Sequence, residues 1–185
     1  YLMKILVITD LYPIAKNEKN TPKTIFNFVK SWQKMGHNVN VIKPNFLLNS
    51  FLRHKPFYKE GVYENVENLN YILPFCGKVE RKVKTNLDVD LVVAHMPSGI
   101  IMANKLNKPF VAAVHMSDIE VLTNPIYSIY FKQELVKGYK NAYKIACRSE
   151  NLKRKFLSLY PEYASKTFIA NSGVNSMYVI KREWQ

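Results

Sequence analysis

Short β-branched runs alternate with longer amphipathic segments along the chain, a pattern typical of a parallel sheet covered by helices. The first run, Lys4-Ile5-Leu6-Val7-Ile8-Thr9, is apolar at consecutive positions. Such a continuous apolar run is typical of a strand in a sheet whose two faces are both covered by helices. We therefore predict a central strand at residues 4–9.

A helix and a second strand are predicted next. Thr21-Pro22 supplies a capping hydroxyl followed by proline at the first helical position, and Gly36 suits the left-handed residue that ends a helix. Apolar residues between them follow helical spacing: Ile25, Phe28, Val29, Trp32 and Met35. Strand chemistry resumes at Val39-Asn40-Val41-Ile42, so residues 4–43 predict one βαβ unit.

The rest of the chain repeats this alternation, except for residues 44–71, which are aromatic and basic and are interpreted as a surface excursion. Further strands are predicted at 70–73, 91–94, 110–114, 144–147 and 167–170. Further helices are predicted at 78–87, 97–106, about 125–137 and 150–159. The predicted fold class is α/β, a Rossmann-like, doubly wound parallel sheet with helices on both faces.

Composition narrows the class of protein. The 185 residues are 48% hydrophobic and 22% charged, which excludes a disordered or fibrous chain. The 27 Lys and Arg residues against 14 Asp and Glu give a net charge of +13, which favours polyanionic partners: nucleic acid, phosphorylated ligands or acidic lipid. No apolar run is long enough to span a bilayer. Cys76 and Cys147 lack ligand spacing and predict free thiols in a reducing cytosol.

Candidate chemistry is expected at the carboxyl ends of the strands, where ligands bind in open parallel sheets. The candidate positions there are Thr9, Asp10, His95, Ser98, His115, Ser117, Asp118, Ser149, Glu150, Asn171, Ser172 and Gly173. His95 and His115 each follow a predicted strand directly and are each followed by Met. A structural role, in which the ring simply bonds loop carbonyls, is open to both, but His115 has the stronger functional case, because a hydroxyl and a carboxylate lie within three residues.

Other chemistries find less support in the residues. A metal site of His95, His115 and Asp118 is conceivable, yet no metal-ligand spacing supports it, so none is expected. The sequence lacks G-x-S-x-G, G-x-G-x-x-G and G-x-x-x-x-G-K-[ST], which disfavours a serine hydrolase, a dinucleotide fingerprint and a P-loop. His37 is interpreted as structural. The basic residues around Arg148 and 153–155 form either a solvated helix surface or a face that contacts membrane or phosphate.

Several segments together carry a family resemblance. They are KILVITDLYP, Gly36-His37-Asn38-Val39, AHMPSG, KPF leading into VHMSDIE, Arg148-Ser149-Glu150-Asn151-Leu152-Lys153 and Asn171-Ser172-Gly173-Val174-Asn175. In this order the chain resembles the N-terminal half of a GT-B-fold glycosyltransferase of the family 4 group. Members of that group are retaining enzymes that use nucleotide sugars.

The resemblance implies an acceptor-side domain at residues 1–176, with residues 177–185 starting a linker to a C-terminal donor-binding domain. The E-x7-E motif of that domain lies outside this sequence, so the fragment alone is not expected to be catalytic. The implied activity transfers a sugar from a nucleotide-diphosphate donor to a glycan or lipid-linked acceptor, in surface polysaccharide or glycolipid synthesis. We expect it in the cytoplasm, at the inner face of the membrane where the basic surface would contact anionic lipid, with no cofactor or metal.

The resemblance also assigns roles to residues. His115 matches the cleft histidine that contacts the donor sugar and is the expected catalytic residue. Asp10, Thr21, Lys23, His95, Ser98, Ser117, Asp118, Ser149, Glu150, Asn171 and Gly173 are the expected substrate-binding residues. Residues 13–24 contain no glycine, whereas many members of the group carry a glycine pair there. Thr21 and Lys23, at a predicted helix N-terminus, can still present N–H groups and positive charge.

Two other functions stay open on the sequence alone. Nucleotide-sugar epimerases share the GT-B architecture. A non-enzymatic accessory or nucleic-acid-binding module would also suit the charge, but no reader motif accompanies it, so nucleic acid is not the expected partner.

Overall fold

The computed structural model describes residues 1–14, 21–47, 58–71, 88–127 and 129–171. The strands within these ranges are β1 (Lys4–Ile8), β2 (Asn38–Phe46), β3 (Gly61–Tyr63), β4 (Val66–Tyr71), β5 (Leu91–His95), β6 (Phe110–Val114), β7 (Lys144–Cys147) and β8 (Thr167–Ile169). The helices are α1 (Thr24–Lys34), α2 (Met96–Asn104), α3 (Met116–Thr123), α4 (Ile129–Asn141), α5 (Glu150–Leu159) and the 3-10 helix Pro161–Lys166. No helix among these residues is long and apolar enough to cross a membrane.

In the described ranges the strands form one sheet in the order β3-β4-β2-β1-β5-β6-β7-β8. Every pairing is parallel except that of β3 with β4, which is antiparallel. The chain therefore winds outward in one direction from β1 through β2 and in the other from β5 through β8. The point between β1 and β5 where the order reverses is where doubly wound sheets bind ligands.

Alternation along β1 divides the core between the two faces of the sheet. Leu6 and Ile8 pack into the larger cluster, which includes apolar side chains of α2, α4 and α5. Ile5 and Val7 pack into the smaller cluster, which includes the buried side chains of α1. Helices thus cover both faces, and the predicted Rossmann-like α/β fold is confirmed.

Helix α2 lies unusually close to β1 because Gly99 has no side chain. A Cβ at Gly99 would stand 2.5 Å from the carbonyl oxygen of Ile8. Helix α4 approaches α2 in the same way, since a Cβ at Gly138 would stand 2.7 Å from Cγ2 of Ile100. Gly99 and Gly138 therefore allow β1, α2 and α4 to pack closely beside the point where the strand order reverses.

Lys166 ties the end of α4 to the segment before β8. Its ammonium donates to the carbonyl oxygens of Tyr139 and Lys140, both at 2.7 Å, and of Ala142 at 3.1 Å. Cations stabilise helix C-termini because the last carbonyls have no partners within the helix. Here the cation comes from a residue distant in sequence.

The structure corrects several sequence predictions about helix positions. Helix α1 begins at Thr24 rather than at Pro22, and Lys23 occupies its N-cap without a side-chain bond. Helix α3 was not predicted, and α4 begins at Ile129 rather than at about residue 125. Gly36 follows the C-cap of α1 and has a positive φ of 92°, as predicted for the residue that ends this helix.

The segment 44–71 holds more regular structure than the interpretation as a surface excursion allowed. Strand β2 continues to Phe46, and β3 and β4 form a hairpin that extends the sheet. The strand predicted at 70–73 starts earlier, at Val66, and its residues 72 and 73 lie outside the described residues. The helix predicted at 78–87 also lies outside them.

Candidate functional site

Two imidazoles meet at the carboxyl edge of the sheet. His95 is the last residue of β5 and pairs in register with Ala113 of the neighbouring β6. His115 follows β6 directly, so the parallel strands deliver both rings to the same edge. Nδ1 of His95 lies 3.1 Å from Nε2 of His115, which is hydrogen-bond distance.

His95 is the inner member of this pair. It is 6% exposed, and its Nε2 is buried with no hydrogen-bond partner among the described residues. The next residue, Met96, starts α2 with a φ of 70°, a left-handed conformation that costs free energy for any residue but glycine. Such strained residues concentrate at functional sites.

The Asp118 carboxylate holds the backbone of His115 by a hydrogen bond. Its Oδ2 accepts a hydrogen bond from the His115 N–H at 2.9 Å, and its Oδ1 accepts one from the Tyr139 hydroxyl at 2.6 Å. The side chain is fully buried. Asp118 therefore links the start of α3 to α4, and both of its oxygens are held by protein groups.

Burial, helped by nearby charge, keeps both rings neutral near pH 7. Burial lowers the pKa of His95 to about 3, with further lowering by His115 and Arg148. Burial, followed by the positive charge of Arg148, lowers the pKa of His115 to about 4. A neutral imidazole carries one proton and one lone pair, so each ring donates one hydrogen bond and accepts one.

Burial acts in the opposite direction on Asp118. It raises the pKa of this carboxyl to about 7, and the charge of Asp10 raises it further, whereas the bonds from Tyr139 and the His115 N–H oppose the shift. Asp10 follows β1 in the chain, and its charge acts on the same carboxyl.

A pocket of about 680 Å³ opens beside His115. The residues that line it are His115, Met116, Arg148, Ser149, Asn151, Leu152 and Asn171. Helix α5 starts at this pocket, and the positive end of its dipole adds to the charge of Arg148. The pocket therefore offers an anion both a guanidinium and helix N–H groups.

The structure brings part of the predicted site together. His95, His115, Asp118 and Asp10 interact as described, Ser117 Oγ lies 3.5 Å from Sδ of Met96, and Ser149 and Asn171 line the pocket. Ser149 also caps α5, because its hydroxyl accepts from the Leu152 N–H at 3.2 Å. The hydroxyl oxygen of Ser98 is buried in α2 without a partner among the described residues.

Other predicted site residues do not line the pocket or lie outside the described residues. Thr21 and Lys23 precede α1, and Glu150 is exposed in the first turn of α5. Gly173 and Ser172 lie outside the described residues. His37 accepts a hydrogen bond on Nδ1 from the Met3 N–H at 3.2 Å, in agreement with a structural role.

Sequence reasoning missed the role of Tyr139. This side chain is fully buried 21 positions beyond Asp118, and no local pattern connects the two. Only the close packing of α4 brings its hydroxyl to the carboxylate. Met116, Asn151 and Leu152 were likewise not predicted as pocket residues.

No group of three or more His, Cys, Asp or Glu side chains able to hold a metal ion occurs within the ranges that the structure describes. The polar groups at the pocket include the Arg148 guanidinium and the N-terminus of α5. Their chemistry suits an anionic ligand better than a cation.

Comparison with known proteins identifies the family. Residues 22–176 match Glycosyltransferase Family 4. The chain belongs to this family. The matched range includes both histidines, Asp118, Tyr139 and the pocket beside α5, so the site described above is part of the glycosyltransferase domain.

Individual relatives agree with this assignment. The uncharacterized glycosyltransferase MJ1178 of Methanocaldococcus jannaschii is 29% identical over 139 residues, which cover 63% of this chain and 38% of MJ1178. Crystal structures of Anabaena Alr3699/HepE, one with UDP and one with UDP and glucose, share the fold with TM-scores of 0.62 and 0.60 at 16% identity. Both superpositions cover 94% of this chain and 45% of HepE.

An epimerase shares the fold as well. The UDP-GlcNAc 2-epimerase of Methanocaldococcus jannaschii has a TM-score of 0.53 and 17% identity, over 90% of this chain and 45% of the epimerase. This glycosyltransferase-family chain thus spans less than half the length of each of these relatives.

Proposed function

We propose that this chain is the acceptor-side domain of a retaining glycosyltransferase. The enzyme transfers a sugar from a nucleotide-diphosphate donor to a glycan or lipid-linked acceptor in surface polysaccharide or glycolipid synthesis. The observation that carries the proposal is that His115 lines an anion-suited pocket while its ring and its backbone are each held by a buried partner. The presence of UDP and glucose in HepE structures of the same fold supports this class of donor.

His115 is the catalytic residue in this proposal. Its neutral ring orients a donor oxygen next to the reacting carbon and stabilises charge as the diphosphate leaves. A group held in place before the reaction stabilises developing charge well, because it needs no reorganisation when the charge appears. The brace from Asp118 and the contact with His95 supply that preorganisation.

Arg148 and the start of α5 are the proposed anion contacts. The α5 terminus presents backbone N–H groups, and Arg148 brings a full positive charge to the same pocket. Together they suit a phosphate without a metal or other cofactor. Ser149 and Asn171 lie at the same pocket and are proposed to contact the substrate, with Asp10, Ser98 and Ser117 nearer the histidine pair.

Asp118 has a different role from the one expected from the resemblance. Because both of its oxygens bond to protein groups and the side chain is fully buried, we assign it to positioning His115. The domain extends over residues 1–176 in this proposal, and a donor-binding domain completes the enzyme. We do not expect the 185-residue chain to transfer sugar by itself.

The test is His115→Ala in a protein that combines this chain with a donor-binding domain. Loss of one preorganised contact to the developing charge is expected to lower kcat by roughly a hundredfold. His37→Ala is the matched control, because it removes a histidine outside the pocket. Transfer by His115→Ala within twofold of the parent would overturn the catalytic role.

An epimerase is the alternative reaction, since a solved epimerase shares the fold. The same assay decides between the two when nucleotide sugar is supplied with and without acceptor. A transferase releases nucleoside diphosphate in an acceptor-dependent manner. Conversion of the sugar to its epimer without acceptor would replace the transferase proposal.

Peripheral contact with the cytoplasmic face of the membrane is the last part of the proposal. Ile126, Ile129 and Tyr130 are 81%, 75% and 60% exposed around the start of α4. Apolar side chains like these insert at a lipid interface, while a net charge of +13 attracts anionic headgroups. The same chain thus offers both interactions that a reversible membrane contact uses.

Co-sedimentation with vesicles tests this contact. Binding to phosphatidylglycerol-rich vesicles should exceed binding to phosphatidylcholine vesicles and weaken as salt is added. Ile126→Ser/Ile129→Ser should reduce it, whereas Val62→Ser, which changes an equally exposed residue on β3, should not. Equal binding by both variants would remove these residues from the contact.

A further inference from the structure

A lysine occupies a core-facing position of β2. Side chains alternate between the two faces of a strand, and Val39 and Val41 both pack into the smaller apolar cluster, on the α1 side of the sheet. Lys43 is the next residue on that face, and it is only 9% exposed. Lysine is almost never buried unless its ammonium has a partner. The strand pattern favours an apolar residue at this position, so the reason for a lysine lies in its contacts.

The ammonium of Lys43 holds the loop that follows β1, which we call the β1 loop (residues 9–12). Its Nζ donates to the carbonyl oxygen of Tyr12 at 2.7 Å in a buried contact. Because Pro13 comes next and has no N–H, this oxygen is the only hydrogen-bonding group of its peptide bond. A charged donor also makes a stronger bond than a neutral one. Lys43 therefore ties β2 to the backbone beyond the end of β1.

Two further bonds define the conformation of the β1 loop. The Thr9 N–H donates to the Ile42 carbonyl oxygen at 3.0 Å, which continues the pairing of β1 with β2. The Leu11 N–H then donates to Thr9 Oγ1 at 3.1 Å, a local bond that is typical of turns. The β1 loop is thus bonded at its start, inside its turn and, through the lysine, at its end.

The β1 loop lies beside the candidate site. It starts next to His95, because Ile8 pairs in register with Ala94, the residue before that histidine. The charge of Asp10, inside the loop, acts on the buried carboxyl of Asp118. The loop also leaves β1 where the strand order reverses, and doubly wound sheets bind ligands there. The conformation of this loop therefore shapes one side of the site.

We propose that Lys43 is a positioning residue, which holds the β1 loop in the conformation that meets the substrate. Its effect on turnover rests on the proposed function, whereas its hold on the loop is a property of this chain alone. A loop that is ordered before the ligand arrives loses less conformational entropy on binding. Loss of this hold weakens binding of substrate and transition state equally, which raises KM and leaves kcat unchanged.

Hydrogen exchange of the chain by itself tests the hold on the loop. The Leu11 amide is the reporter, since its bond to Thr9 breaks when the loop opens. Lys43→Met keeps most of the side chain but has no donor, so this amide should exchange roughly tenfold faster than in the parent. Lys43→Arg retains a charged donor and should restore slow exchange. Lys108→Met, at an exposed lysine shortly before β6, is the control and should leave the exchange of Leu11 unchanged.

Two results in this experiment would overturn the proposal. One is unchanged exchange of the Leu11 amide in folded Lys43→Met. The other is rapid exchange of this amide in the parent, because the loop would then not be held. If Lys43→Met does not fold, Lys43→Gln takes its place, since its uncharged side chain is one bond shorter, and the parent measurement stands whatever the variants do.

Transfer assays on the enzyme with its donor domain separate this inference from the proposed function. Lys43→Met should raise KM for donor or acceptor by roughly tenfold with kcat nearly unchanged, and Lys43→Arg should bring KM back. A merely structural role would reduce the active fraction instead, so a lower kcat with unchanged KM for both substrates would overturn the positioning role. If His115→Ala keeps its activity while Lys43→Met raises KM, the proposed role of His115 fails and that of Lys43 stands.

Discussion

The hydroxyl of Tyr139 donates to Oδ1 of Asp118 at 2.6 Å, and neither side chain is exposed to solvent. This bond connects α4 to the start of α3, and Asp118 in turn holds the backbone of His115. The position of the candidate catalytic histidine therefore depends on a tyrosine that does not line its pocket.

We predict that Tyr139→Phe, which breaks this connection, destabilises the protein. The substitution removes one hydroxyl and leaves a buried carboxyl oxygen without its donor, which should lower the free energy of unfolding by about 1–3 kcal/mol. Tyr143→Phe, at a tyrosine that is 67% exposed, should change it little. Urea unfolding of the two variants measures the difference, and equal stabilities would show that the bond to Asp118 contributes nothing.

The dependence of stability on pH should contain two opposed contributions. The pKa values of His95 and His115 are lowered to about 3 and about 4 from 6.5, so their contribution is present above pH 6.5 and is lost as the pH falls towards 4. The pKa of Asp118 is raised to about 7 from 3.8, so its contribution is present below pH 3.8 and is lost as the pH rises through 7.

Single variants should separate these contributions between pH 4.5 and 6.5. Asp118→Asn removes the opposing group, so stability should rise more steeply with pH than in the parent. His115→Gln should make the rise shallower. Each slope should change by at most about 1.4 kcal/mol per pH unit, the value of one proton. Urea midpoints across this range measure the slopes, and a change of the opposite sign in either variant would contradict the assignment.

Gly99→Ala should destabilise the protein more than Gly138→Ala. The new methyl at position 99 meets the backbone oxygen of Ile8 at 2.5 Å, which cannot move without displacing β1. At position 138 the nearest atom is the Cγ2 methyl of Ile100 at 2.7 Å, and the nearest backbone atom, the Ile100 oxygen, is farther away at 3.3 Å. We expect a loss of about 1–3 kcal/mol or more for Gly99→Ala, and thermal unfolding of both variants provides the comparison. A similar loss in both would show that the backbone contact is not special.

The thiol of Cys147 should be unreactive while the protein is folded. It is buried, and burial raises its pKa to about 11, so little thiolate is present near neutral pH. In a Cys76→Ser background, a thiol reagent at pH 8 should modify Cys147 only after denaturant is added. Rapid modification without denaturant would show that the end of β7 is accessible.

The central strands were predictable because their chemistry is local. Residues 110–114 and 144–147 form strands with the predicted bounds, and helix α5 also begins and ends where the sequence indicated. Each is a clear apolar run or an amphipathic segment with a capping residue. The common place of His95 and His115 followed from the strand pattern as well, since parallel strands end at one edge.

The missed features depend on contacts between distant parts of the chain. Strand β4 alternates poorly in sequence and forms because β2 and β3 pair with it. Helix α3 starts with a His115 N–H bonded to the Asp118 carboxylate, in place of the usual serine or threonine cap, so no cap signal marked it. The bond from Tyr139 to Asp118 required knowledge of how α4 packs.

Lys166 has a consequence for how the sheet edge opens. Strand β8 has three residues and lies at the end of the strand order, so on its own it should open often and exchange its amide hydrogens quickly. Its neighbour Lys166, however, donates to three carbonyl oxygens at the end of α4. Hydrogen exchange in β8 should therefore follow that of the last turn of α4, because the two segments open as one cooperative unit.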